Sequence, residues 1–398
     1  MELKPLEQQM LDGKHGKATQ KAMQILTALG KIYDAQYMLP VTSVQVAGVS
    51  YDNLGEAGLA FLDDLVQGGA VARVLTTLNP AGMDIDDWGK LGIPPDFAKN
   101  QVRVIEAFEQ MGIISTCTCT PYLSGNLPHF GEHIAWAESS AVAYANSVIG
   151  ARTNREGGPS ALASALTGVT PAYGFHLPEN RKPSLTFNVR FQVQGTHAFG
   201  VLGWMIGKQL ETSSTSRVPY LKGIAAATLE ELKSFCASIA TYGGVALFHM
   251  ENITPEAQLH AAPTEEMTLQ VSDFETALTA LNASEHEIDF VTLGCPHLSI
   301  REVRAIAQRL EGKKVKKEFW VTIARPVKHI ADRMGYTQII EKSGVIIATD
   351  TCCVVAPIKG RFRAMATDSA KACYYAQTKN GFQTRLMSFD EVISEALK

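Results

Sequence analysis

Between Ile113 and Pro159 the sequence gathers groups that bind metals, carry protons and grip anions. Thr116-Cys117-Thr118-Cys119-Thr120-Pro121 is followed by Gly131-Glu132-His133 and by Arg152-Thr153-Asn154-Arg155-Glu156-Gly157-Gly158-Pro159. Thiolates are soft ligands suited to iron–sulfur clusters and zinc. Guanidiniums grip carboxylate or phosphate through paired N–H groups, and a helix starting at Pro159 adds free backbone donors. Arg152, Asn154 and Arg155 therefore read as an anion seat, the plain alternative being two solvated arginines. His133, beside Glu132, titrates where proton transfer is useful, although a histidine of this kind also serves as a structural group.

The seven cysteines are Cys117, Cys119, Cys236, Cys295, Cys352, Cys353 and Cys373. Their odd number and dilution over a long chain argue against a disulfide scaffold. No Cys-x-x-Cys occurs, which removes the zinc ribbon and the ferredoxin run. Cys119, Cys295 and Cys352 each follow an apolar strand-like run and stand beside Pro, Gly or Thr. If the three converge, they hold three corners of a cubane cluster and leave one iron open to a hydroxyl or carboxylate. Otherwise they are three buried thiols, small hydrophobes in a core. Cys117 and Cys353 are expected to point away, and Cys236 and Cys373 to be core. Ser369 and Lys371 offer a hydroxyl and an ammonium at the start of a helix expected over 369–377. Ser50, Thr77 and Asn79 stand in strand-end loops and give weaker support to anion binding.

Apolar runs and helical patterns alternate along the chain, as expected for α/β units with mostly parallel sheets whose ligands bind beyond the carboxyl ends of the strands. Helices are expected over 17–33, after Asn53, over 96–111 and over 138–148. Strands are expected over 39–46, 72–75, 246–248, 289–293, 319–323 and 345–348. Residues 184–193 alternate apolar and polar, the pattern of a half-buried strand. Thr228/Glu231, Ser272/Glu275, Ser299/Glu302 and Ser388/Glu391 match capping boxes. Two regions are expected, 1–200 with the Cys119 and Arg152/Arg155 loops and 201–398 with Cys295 and Cys352. The joint is placed at 195–199 or 211–217. With 398 residues, 46% apolar, 19% charged and net charge −4, the chain reads as an ordinary globular protein and not a nucleic-acid binder. No apolar run reaches the roughly 18 residues of a membrane span, so a cytoplasmic location is expected.

Several of these segments together resemble the aconitase X family, a branch of the aconitase superfamily. They are Gly48-Val49-Ser50-Tyr51, Thr76 to Gly82, Cys117 to Tyr122, Gly131 to Trp136, Gly150 to Ser160 and Ser369-Ala370-Lys371-Ala372. The resemblance covers essentially the whole chain and implies an aconitase-like fold. It implies an iron–sulfur cluster on Cys119, Cys295 and Cys352, expected as 4Fe-4S, with 3Fe-4S and 2Fe-2S as other forms. It implies a hydro-lyase that dehydrates a β-hydroxy acid: mevalonate 5-phosphate in the isoprenoid pathway is favoured, and cis-3-hydroxy-L-proline is the alternative. An iron–sulfur redox or sensor subunit is the non-catalytic reading, and a zinc hydrolase a further one. Substrate contacts are expected from Ser50, Thr77, Asn79, Arg152, Asn154, Arg155, Ser369 and Lys371. The resemblance further implies a small subunit, a swivelling domain that completes a heterodimer and brings a serine as base. If the base lies in this chain instead, His133 and Glu156 are the first candidates.

Overall fold

The computed structural model describes residues 1–211, 218–282 and 286–398. Three parallel sheets follow one another along the chain. In the first, Ser43–Val46 lies between Leu75–Leu78 and Ala135–Trp136. In the second, the order is His249–Met250, Pro219–Lys222, Leu185–Val189, Glu266–Leu269. The third runs Ile346–Thr349, Glu318–Ile323, Phe290–Leu298, Ala364–Thr367, Gln383–Leu386. A small antiparallel pair, Met38–Pro40 with Val169–Pro171, completes the strands among the described residues. The fold is thus mixed α/β with mostly parallel sheets. No helix among the described residues is long and apolar enough to cross a membrane.

Parallel strands need helical crossovers, and these cover the sheet faces. For this reason Leu185–Val189, expected to be half-buried from its alternation, is buried at all five positions. The run 39–46 divides between two sheets, because Val41 N–H bonds to Gly168 O and Thr42 N–H to His133 O at the break. The strand expected over 72–75 instead occupies Leu75–Leu78, which carries Thr77 inside the sheet.

Capping chemistry sets several helix starts. Thr228, Ser299 and Ser388 accept from the N–H of Glu231, Glu302 and Glu391, whose carboxylates return the bond. Each such cap contributes about 1 kcal/mol. Ser272 does not cap: Asp273 accepts from the Gln270 N–H at 2.8 Å, so the helix Val271–Leu281 begins earlier.

The segment 195–199, read as a joint, instead opens the helix Thr196–Glu211. Gly195 N–H is held by Glu231 (2.6 Å), and Thr196 Oγ1 by Asp368 (2.7 Å). The other suggested joint, 211–217, lies beyond Glu211 outside the described residues. Thr196–Glu211 packs on Leu229–Gly243 through small residues. A Cβ on Gly203 would stand 2.8 Å from Ser238 Cβ, so only hydrogen allows this approach.

Candidate active site

The thiols come from the carboxyl ends of parallel strands, where such sheets present ligands. Cys352 follows Ile346–Thr349, Cys295 lies in the irregular carboxyl half of Phe290–Leu298, and Lys371 opens the helix after Ala364–Thr367. Cys119 enters from the first sheet, its segment fastened by Thr118 N–H to Leu78 O at 3.0 Å. Each thiol follows a left-handed bend: Cys117 at φ 42°, Gly294 at φ 116° and Asp350 at φ 64°. A Cβ at Gly294 would collide with Thr322 O at 2.3 Å. Non-glycine residues held this way store strain, and such strain gathers at functional sites.

Cys119, Cys295 and Cys352 line one cavity of about 220 Å³. Each is less than a tenth exposed. Asn79, Arg155, Lys371 and Lys379 line the same cavity. Burial pushes all three thiols above the ordinary cysteine range, so they bear charge only when a metal takes the proton's place. His297 N–H points at Cys119 Sγ from 3.2 Å. Three soft donors facing a common space, with such an N–H donor to sulfur, fit an iron–sulfur cluster.

The charged lining is paired in a specific way. Lys371 Nζ lies 2.5 Å from Glu138 Oε1, and Glu138 Oε2 accepts from Ser140 Oγ and Ala141 N–H, both at 2.6 Å. Burial works against both charges, yet their contact holds the Glu138 carboxyl below and the Lys371 ammonium above their usual ranges. Lys379 Nζ contacts Asp52 (3.0 Å) and the carbonyls of Val354 and Val355. Arg155 is exposed and makes no ion pair among the described residues. Asn79 Oδ1 has no partner.

Other expected site residues are placed elsewhere. His133 Nδ1 faces His176 Nδ1 at 3.0 Å, beside Arg152, and burial keeps both rings neutral. Asn154 spends its amide on Tyr173 O (3.1 Å) and Phe175 N–H (2.9 Å). Glu156, raised by burial, accepts from Ser160 Oγ at 2.5 Å, and its Oε1 is unpartnered. Arg152 also buries an unpartnered Nε. Neither Arg152 nor Glu156 lines the thiol cavity. Thr77 Oγ1 accepts from Asn126, and Ser50 Oγ donates to Val355 O. Ser369 caps its helix through Ala372 N–H (3.1 Å) and lines a small space behind Cys295.

Cys117 and Cys353 are buried outside the cavity lining, as are Cys236 and Cys373. Sequence reasoning missed Glu138, Lys379 and His297. For Glu138 a signal existed: an acid just before Ser139-Ser140-Ala141 is a cap for the buried helix Ser139–Tyr144.

Two other places offer less for such chemistry. A groove of about 720 Å³ at the carboxyl ends of the second sheet has no thiol in its lining, and its Glu231 is committed to capping. His249, Glu256 and His260 bring ligand atoms within 4.8 Å of one another. There, however, Arg181 Nε already engages both Glu256 oxygens, at 3.1 and 2.9 Å.

Family models cover most of the chain. Aconitase X first, second and third domains match residues 1–179, 183–279 and 288–398. The chain is 45% identical to the phosphomevalonate dehydratase large subunit of Thermococcus kodakarensis over 98% of both proteins. It is 33% identical to the cis-3-hydroxy-L-proline dehydratase of Hypocrea jecorina, over 96% of this chain and 66% of that protein. A crystal structure of Thermococcus kodakaraensis aconitase X (holo-form) superposes with a TM-score of 0.93 over the full length of both chains, at 44% identity. Matched from end to end by its domain models and by a full-length fold, the chain belongs to the aconitase X family.

Proposed function

We propose that this chain is the large subunit of a hydro-lyase that dehydrates mevalonate 5-phosphate to an anhydromevalonate phosphate. The observation that carries this reading is the meeting of three thiols with Arg155, Lys371 and Lys379 in one cavity. Membership of the aconitase superfamily suggests an iron–sulfur cluster, and the donor set is compatible with one. The finer reading is a 4Fe-4S cluster on Cys119, Cys295 and Cys352. Its unligated iron, when bound, supplies a Lewis acid that eases departure of the substrate hydroxyl.

The chain's own residues do the rest. Arg155 grips the carboxylate through its fork, and Asn79 Oδ1 accepts from the departing hydroxyl. Lys379 at the rim takes the phosphate. The Lys371–Glu138 pair fixes two charges beside the thiols, so little reorganisation is needed as charge moves. In the reaction the α C–H bond yields its electrons to the new double bond and its proton to a base. The C–O bond breaks with its electron pair going to oxygen, and the hydroxide takes up one proton, matching the one the base later releases, to leave as water. Glu138, held ionised by Lys371, is the one carboxylate in the lining. We assign the base to the serine of the partner that the relatives' name "large subunit" implies. The two chains together form a heterodimer, and docking excludes water from the cavity.

Greater identity to the phosphomevalonate enzymes than to the hydroxyproline enzyme supports the choice of substrate. Electron transfer alone has no use for three cationic groups around the thiols, which weighs against a redox or sensor role. The deciding experiment incubates the reconstituted chain, alone and with the small subunit, with each substrate and follows water loss by NMR. Turnover of mevalonate 5-phosphate by the pair is expected. Turnover of hydroxyproline alone, or full turnover without a partner, refutes this reading.

A further inference from the structure

Every polar atom of His297 is bonded, and the four bonds reach three segments remote in sequence, at Thr118-Cys119, Lys233 and Thr351. Its backbone N–H donates to Cys119 Sγ at 3.2 Å. Its carbonyl accepts from Lys233 Nζ at 2.9 Å, and that ammonium also meets Glu302 at 2.6 Å. Ring Nε2 lies 2.9 Å from Thr351 O, the residue before Cys352. A carbonyl only accepts, so Nε2 carries the hydrogen. In the neutral ring Nδ1 is then the acceptor, and the Thr118 hydroxyl donates to it across 3.0 Å. Thr118 Oγ1 in turn accepts from Thr120 N–H at 3.2 Å, closing the turn around Cys119.

His297 itself follows Cys295 by two residues. One imidazole therefore ties the segments of all three thiols, and its backbone pins them to the helix Leu229–Gly243. His297, Thr118 and Thr351 have no exposed surface. Water cannot replace these bonds once they are lost, so a gap opens in the link between the Cys119 and Cys352 segments. Outer partners of this kind orient metal ligands, and their loss shows as weaker metal retention.

We infer that His297 is the positioning residue that holds the three cysteine-bearing segments in register, and that its ring governs how firmly the chain retains an iron–sulfur cluster. The inference rests on the cluster reading above. The test uses the full chain, reconstituted without oxygen, as wild type, His297→Phe, His297→Gln and the control His176→Gln. His297→Phe removes both ring bonds, while His297→Gln keeps an N–H donor that reaches Thr351. His176 is equally buried, and its ring bonds to His133. Bleaching of the visible absorbance in excess EDTA is timed, thermal midpoints are recorded, and cluster-free thiols are titrated with a disulfide reagent.

His297→Phe is expected to bleach about ten-fold faster or more, with His297→Gln in between. His176→Gln should lose thermal stability yet bleach like the wild type. In the cluster-free chain, Cys119 and Cys352 should react faster in both His297 variants. Wild-type bleaching in His297→Phe, or equal bleaching by His176→Gln at the same loss of midpoint, overturns the role of His297. If His297→Phe does not fold, His297→Gln against His176→Gln decides by the same readings. A wild type that takes up neither iron nor sulfide overturns the cluster reading instead, and thiol titration then judges the register on its own.

Discussion

Arg152 and Arg155 are three residues apart and end in different surroundings. Arg152 bridges to His133 beside the neutral His133–His176 pair, in a patch built from neighbouring stretches of chain. Arg155 lines a cavity whose other walls come from residues 79, 119, 138, 295, 352, 371 and 379. Local density of reactive residue types marked both places equally. What separates them is convergence of chemistry from remote segments onto the carboxyl ends of parallel strands. In the first patch Asn154 is consumed by backbone groups, while Asn79 in the cavity still has a free acceptor.

The sharpest test of this contrast is at the thiols. Cys119→Ser, Cys295→Ser and Cys352→Ser should each abolish cluster absorbance. Activity should fall by roughly three orders of magnitude, because several kcal/mol of transition-state stabilisation leaves with the metal. Cys236→Ser, equally buried, should keep both. Full absorbance in Cys295→Ser would remove that residue from the ligand set.

Lys371→Ala comes next. It strands Glu138 as a buried unpaired charge, which costs about 3–5 kcal/mol in denaturant melts. Turnover should drop by roughly a hundred-fold, the loss typical of one preorganised electrostatic group. The double variant Glu138→Gln/Lys371→Gln should regain most of the stability and none of the activity. Recovery of both would make the pair structural only.

The two arginines give a smaller and more direct comparison. Arg155→Lys keeps charge but loses the fork, so kcat/KM should fall about ten-fold. Arg152→Lys should change it less than two-fold, within the ~0.5 kcal/mol expected of a side chain away from the site. Equal losses would merge the two regions again.

A last test concerns pH and reads stability alone. Burial, aided by His133 and nearby arginines, lowers the His176 pKa to about 3 from an ordinary 6.5. Between these values the unfolded chain binds the extra proton, so this stability is present above pH 6.5 and is lost as pH falls towards 3. By pH 5 the loss amounts to about 2 kcal/mol. Urea melts of the wild type and His176→Gln over pH 7–5 should show a steeper fall in the wild type. Parallel curves would refute the burial of a neutral His176.

Much of this protein was legible in its residues. Apolar runs of strand length separated by capped helical patterns are set by short-range chemistry, and so are legible in the residues as parallel α/β units. The thiols beside Gly, Pro and Thr stand out in the same way, since the ends of strand-like runs carry local signatures, whereas the left-handed bends at Cys117 and Asp350 carry none. Tertiary structure alone decided which polar groups share a space. Glu138 meets Lys371 across 233 positions, and Thr118 meets His297 across 179. No periodicity records such pairs, because they depend on how whole sheets are set against one another. Burial of Leu185–Val189 on both faces was hidden for a related reason: alternation reports side-chain direction, while the helices that cover the second face come from elsewhere in the chain.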